Sequence, residues 1–237
     1  MKVYYDSEFV EDGHTIELIS IGMVLVPDSR DRDGNVRPVR EYYAVNSDAP
    51  WERIEQHDWL CENVVPSLPL THPVEKTNGH YSINIDHLNT QVKPRWVIAN
   101  EVRDFLIDNA RSLGEDIELW AWYGAYDHVV LCWLWGPMSD LPRGIPMYTH
   151  DFKQHVDYTR YQPDTLSGEN KHNALEDARW LQRAYKIYEL EMSTEPELGM
   201  QLHYNDRATE NIPLALQRPG PHGNLFKPHP HPTQHEE

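Results

Sequence analysis

Two carboxylates stand two residues apart in Tyr5-Asp6-Ser7-Glu8-Phe9, near the start of the chain. On a strand, side chains i and i+2 point to one face, so Asp6 and Glu8 present like charges side by side. Such a pair is costly unless something cationic sits between its members. Taken alone, it reads better as two surface acids at a solvated strand end. A third acid, Asp127, follows Gly124-Ala125-Tyr126 at a strand-to-helix turn, where an aspartate commonly serves as a cap or a partner of the helix dipole. The run Lys171-His172-Asn173-Ala174-Leu175-Glu176-Asp177 adds a histidine and a fourth acid. Asn173 followed three residues later by Glu176 has the form of a capping box. That places His172 just outside a helix and Asp177 one turn within it. Side chains on a helix lean toward its N-terminus, so Asp177 reaches back to the mouth where His172 sits.

Each motif is bland by itself, and the conjunction is not. Asp-x-Glu on the first strand, a mid-chain Asp at a strand-to-helix turn and His-x4-Asp opening the last helix stand in one order. This resembles the DEDDh pattern of 3′–5′ exonucleases, found in proofreading exonucleases, oligoribonuclease and RNA-trimming enzymes. The position four residues before the final aspartate, where the sister class carries tyrosine, is Asn173, and the histidine stands at 172. The runs YYDSEFVEDGHTIELISIGMV, IELWAWYGAYDHVVLCWLWGPM and HNALEDAR are similar to the RNase AS group of actinobacterial exoribonucleases, over most of residues 1–190. The chain departs from that group by longer segments at Asp28–Pro38 and Pro66–Pro94 and by its tail.

The resemblance implies a metal-dependent exoribonuclease that releases nucleoside 5′-monophosphates from the 3′ end of RNA, with an adenylate preference. It implies two Mg²⁺ or Mn²⁺ ions, with Asp6 bridging both, Glu8 and Asp177 completing the water-activating site, and Asp127 holding the second ion through water. His172 is then the general base, a task that suits a neutral imidazole near its working pH. Backbone amides around Phe9, with aromatic or apolar groups nearby, are expected to pack the terminal nucleoside. Tyr123 and Tyr126 are candidates for base stacking, with a core role as the commoner alternative. Two other readings stand beside this one: the same chemistry on single-stranded DNA or short oligonucleotides, and a noncatalytic nucleic-acid-binding module.

The elements that would position these residues follow from pattern. Lys2–Phe9, Ile16–Val26 and Val39–Val45 read as three consecutive strands, an antiparallel meander, with Asp33-Gly34 as a hairpin signal between the second and third. Trp51–Val65 has helical spacing and stops before Pro66. Pro66–Pro94, with four prolines, reads as a loop or insertion. Arg95–Leu106 is an amphipathic helix, Ile117–Trp122 a strand, and Tyr126–Trp135 a helix ended by Gly136-Pro137. A short fifth strand is expected near Ile145–Tyr148, and a last helix from Asn173 to Leu190. This is the element order of an α/β ribonuclease-H-like fold: a mixed central sheet, meander plus parallel strands, flanked by helices. Residues 1–190 form the expected domain, and 191–237 a polar Pro/His-rich tail. Its histidines, His229, His231 and His235, have no expected part in the cut, and the segment cannot bury enough surface to order itself.

Composition sets bounds on partners. The 237 residues carry 38 acids against 21 bases, a net charge of −17. That is the wrong sign for tight nonspecific duplex binding, which relies on cations neutralising phosphates. An acidic site that collects divalent ions is compatible with it. Lys93, Arg95, Arg143, Lys153, Arg160, Lys171 and Arg179 are the bases that might guide RNA, and none forms a dense run. Trp120, Trp122, Trp133 and Trp135 fit core or homodimer packing better than base stacking. The two cysteines, Cys61 and Cys132, lack zinc spacing and read as free thiols of a reducing compartment. No apolar stretch is long enough for a bilayer and no leader precedes Lys2, so a cytoplasmic protein without membrane contact is expected.

Overall fold

Alternation of burial along the first strand builds the molecule. In the computed structural model, which describes residues 1–157, 159, 161–164 and 172–194, β1 (Lys2–Glu11) is covered on both faces. Val3 and Tyr5 join one core cluster, and Tyr4 joins another on the opposite face. β2 (Ile16–Val26) and β3 (Arg40–Asn46) complete the antiparallel meander. A register shift between Glu8 and Phe9 interrupts the β1–β2 ladder.

The segment expected as one helix from Trp51 to Val65 is two: α1 (Trp51–Ile54) and α2 (Asp58–Asn63), followed by a 3-10 turn at Val65–Ser67. His57 breaks it. Its backbone is extended, and its ring accepts the Leu60 N–H as a new N-cap. Pro66–Pro94 is not merely a loop. A small hairpin, β4 (Glu75–Thr77) and β5 (His80–Ser82), turns at Asn78-Gly79, both at positive φ, the requirement of a type I′ turn. β6 (Val92–Lys93) then joins the main sheet parallel to β3.

α3 runs from Arg95 to Leu113, past the expected end at Leu106, until Gly114 adopts a left-handed φ of 68°. β7 (Glu118–Ala121) and α4 (Ala125–Trp133) lie close to their expected places. The fifth strand does not lie at Ile145–Tyr148. Pro146 has no N–H for a ladder, and the Ile145 N–H bonds back to Pro142 in a turn that buries Ile145. Pairing is delayed to β8 (His150–Asp151), which leads into α5 (Phe152–Val156). α6 spans Ala174–Thr194, four residues beyond its expected end. The rest of the tail, including His229, His231 and His235, lies outside the described residues, as do Arg160 and Lys171.

The sheet order is β6-β3-β2-β1-β7-β8, with β1, β7 and β8 parallel: the mixed α/β sheet of a ribonuclease-H-like fold. α3 and α4 cover one face through Ile98, Val102, Leu106, Val130 and Leu131. α6 covers the other through Ala178, Leu181 and Tyr185. Among the described residues no helix is long and apolar enough to cross a membrane. Both cysteines are free, as expected.

Candidate active site

Strand alternation sends Asp6 and Glu8 to the α6 side of the sheet and Ser7 to the α4 side. β7 pairs with β1 only from Lys2 to Tyr4. Beyond Tyr4 that edge of β1 is open, and a side chain takes the place of the missing strand. Asp127, on the first turn of α4, accepts from the Ser7 N–H at 2.9 Å and from the Ser7 hydroxyl at 2.6 Å. It therefore reaches across to β1 and does not act as the ordinary helix cap its position suggests in isolation.

On the other side, α6 sits directly on the strand. Gly22 is the residue paired with Asp6, and a Cβ built on it would stand 2.3 Å from Leu175 N and 2.4 Å from the Ala174 carbonyl carbon. Only glycine lets the helix start this close. Asn173 caps it, its Oδ1 accepting from the N–H groups of Leu175 and Glu176 at 3.2 Å each. The reciprocal half of the capping box is replaced by an ion pair of Glu176 with Arg179. The result is convergence: a ligand atom from each of Glu8, His172 and Asp177 lies within 4.8 Å of the other two. We expect Gly22→Ala to destabilise the fold by roughly 1–3 kcal/mol or more, the usual cost of overpacking, measured by urea unfolding. It should also lower activity, because the helix cannot move outward without carrying His172 and Asp177 with it.

Electrostatics marks the four acids as one group. Burial pushes the Asp6 carboxyl well above the ordinary carboxylate range, and the charges of Asp127, Glu8 and Asp177 push it further. Glu8 is raised to about 8 by burial, then by Asp177 and Asp127. Asp127 is raised to about 6 by burial, against the two bonds from Ser7 that favour its charged form. None of the three is relieved by a lysine or arginine among the described residues. Carboxylate oxygens crowded together in this way are the donor set that a hard divalent cation takes. The residues fit that group.

The remaining candidates fall around this centre. Phe9 stacks on Tyr126, with centroids 6.0 Å apart and planes 12° from parallel. Tyr123 and Tyr126 are both exposed, so a core role for either is wrong. The physical reason is that both follow the end of β7, where the chain climbs away from the sheet, and Tyr123 takes a positive φ of 56°. Of the tryptophans, Trp120 is buried, whereas Trp133 is exposed on α4. Three of the expected guiding bases are already paired: Lys93 with Glu101, Lys153 with Asp157, and Arg179 with Glu41 and Glu176. Arg95 donates to the Trp133 carbonyl, and Arg143 is exposed.

Several contributors were not singled out from sequence. Ser7 gave no signal, since its role depends on a partner 120 residues away. Gly22 did give one, a lone glycine inside the apolar run Ile19–Val26, which marks a close backbone approach.

No protein-family model matches the chain. It is similar to two proteins, from two strains of Mycobacterium tuberculosis, each named a 3′–5′ exoribonuclease. Each is 37 % identical over 188 residues, covering 79 % of this chain and 92 % of the relative.

Proposed function

The chain belongs to the family of these 3′–5′ exoribonucleases, and from that premise we propose that it hydrolyses RNA from the 3′ end, one nucleoside 5′-monophosphate at a time, through a two-metal DEDDh site. The observation that carries this reading is the convergence of Glu8, His172 and Asp177 beside two further carboxylates, the half-buried Asp6 and the buried Asp127, with Asp6 and Glu8 each opposed by the other acids of the group.

Asp6, Glu8, Asp127 and Asp177 would hold the ions. A pair of Mg²⁺ or Mn²⁺ ions, when bound, supplies charge neutralisation at the phosphate, a more acidic attacking water and relief of charge on the leaving 3′-oxygen. His172 accepts the proton of the water that attacks phosphorus. The P–O3′ bond breaks, the leaving 3′-oxygen takes a proton from solvent and stays with the shortened RNA as its new 3′-hydroxyl, and the phosphate leaves on the 5′ carbon of the released nucleoside. Ser7 holds one oxygen of Asp127 and thereby fixes the orientation of that carboxylate. The N-terminus of α6 places the positive end of its dipole toward the same negative cluster, which favours the charged forms of the acids. The Phe9–Tyr126 pair and the exposed Tyr123 ring offer apolar faces for the terminal nucleoside and its neighbour. A cytoplasmic location and an adenylate preference belong to the same proposal.

Matched RNA and DNA oligomers, with and without an adenylate tail, separate the alternatives. We expect metal-dependent release of nucleoside 5′-monophosphate from RNA, faster than from DNA and fastest from the adenylate-tailed strand. Faster turnover of DNA would move the substrate class to single-stranded DNA. Binding of either strand without any release would leave a noncatalytic nucleic-acid module.

A further inference from the structure

The backbone of His172 is strained, with φ at +65°, a region that a residue bearing a Cβ occupies only when its surroundings impose it. One short segment helps to hold it. The Ser67 hydroxyl donates to the His172 carbonyl at 3.0 Å. The Ser67 carbonyl in turn accepts from Asn173 Nδ2 at 3.3 Å. Asn173 Nδ2 also lies 3.4 Å from the hydroxyl of Tyr43 on β3. The imidazole of His172 meets the indole of Trp59 edge-on, with centroids 4.9 Å apart and planes at 74°. Trp59 stands on α2, and Ser67 closes the 3-10 turn directly after it. Both are tied to a buried cluster through Leu60, Val64 and Val65, so the segment is a firm base. It touches His172 twice, once at the backbone and once at the ring.

We propose that Trp59 and Ser67 are positioning residues for His172, Ser67 locking the left-handed turn and Trp59 restricting rotation of the imidazole, so that its nitrogen stays beside Glu8 and Asp177. The proposal rests on the reading of His172 as the proton acceptor. The rival role for Trp59, which is 48 % exposed, is a stacking face for a base of the substrate.

The two roles separate in kinetics. In the full-length chain, we expect Trp59→Ala to lower kcat by about 10- to 100-fold, the scale of a misplaced group near the chemistry, with KM little changed. Trp59→Phe keeps a ring edge against the imidazole and should restore most of kcat. Ser67→Ala should lower kcat in the same direction by a smaller factor. A rise in KM at unchanged kcat in Trp59→Ala would overturn the proposal and make Trp59 a base-stacking residue. If Trp59→Ala failed to fold, Trp59→Phe and Ser67→Ala would still carry the test. A second readout needs no activity: the His172 ring-proton resonance, assigned by its loss in His172→Ala, should carry a ring-current shift from Trp59. It should move toward the position of an exposed histidine in Ser67→Ala. An unmoved resonance would overturn the clamp, whereas a wild-type protein inert toward RNA with a resonance that moves as expected would overturn only the reading of His172 as a base.

Discussion

Asp6→Asn is expected to abolish RNA cleavage and, in the absence of metal, to make the protein more stable. Asparagine keeps the shape of the side chain and removes a charge that burial and three neighbouring carboxylates oppose. Loss of cleavage would follow from loss of one of the carboxylates proposed to hold the ions, and the gain in stability from relieved repulsion. The raised carboxyls also make stability depend on pH. A carboxyl whose folded value is raised keeps its proton in the folded state after the unfolded chain has lost it. It therefore stabilises the fold fully below the ordinary carboxylate range and loses that contribution as pH rises toward the folded value. For Glu8 the loss runs up to about 8, at about 1.4 kcal/mol per pH unit for each proton retained. His128 and His155 are held below the ordinary imidazole value by burial, so their opposing effect lies below about pH 6.5. Asp12 and Glu115, lowered to about 2, also finish titrating in more acid solution. Unfolding followed between pH 6.5 and 8 with chelator should thus show wild type losing stability faster than the Asp6→Asn, Glu8→Gln double variant, in which neither group titrates. Saturating Mg²⁺ or Mn²⁺ should flatten the wild-type slope. A sharp fall in metal-free stability in Asp6→Asn would make Asp6 structural, and cleavage near the wild-type rate would remove it from the metal site.

His172→Ala should cost roughly 10²- to 10⁴-fold in kcat, the range for removal of a general base, while the fold persists. His172 is assigned to the water and the four acids to the ions. Titration of Mn²⁺ by calorimetry should accordingly give the same stoichiometry in variant and wild type. The geometry makes this a sharp test, because an imidazole nitrogen lies within 4.8 Å of the Glu8 and Asp177 oxygens. Loss of one binding event in the variant would turn His172 into a ligand.

What was legible in the sequence was whatever depends on spacing along one element. The i, i+2 relation of Asp6 and Glu8, the strand-to-helix turn before Asp127 and the capping Asn173 ahead of Asp177 are local geometry, and the sheet with its helices follows from periods of 2 and 3.6. What was not legible depends on meetings across the chain. The open edge of β1 that Asp127 fills exists because β7 stops pairing at Tyr4. The approach of α6 at Gly22 and the contact of Trp59 with His172 likewise join segments that no local pattern connects. The break at His57 was missed because the apolar spacing on either side stays in phase, while a ring nitrogen restarts the helix. β8 was displaced because prolines around Ile145 deny the ladder its donors. The exposure of Tyr123 and Tyr126 reversed a composition-based expectation, since aromatic residues after a buried strand are usually core and these two follow the chain out of it.

Metal-dependent hydrolysis from the 3′ end can be followed with end-labelled RNA. The same single-stranded RNA is labelled at its 3′-terminal nucleotide in one sample and at its 5′ end in another, and each is incubated with Mg²⁺ or with chelator. With metal, the 3′ label should appear at once as a nucleoside 5′-monophosphate, while the 5′ label stays on a ladder that shortens one nucleotide at a time. Chelator should stop both. Early release of mononucleotide from the 5′ end, internal fragments before any mononucleotide, or an equal rate in chelator would rule out metal-dependent trimming from the 3′ end.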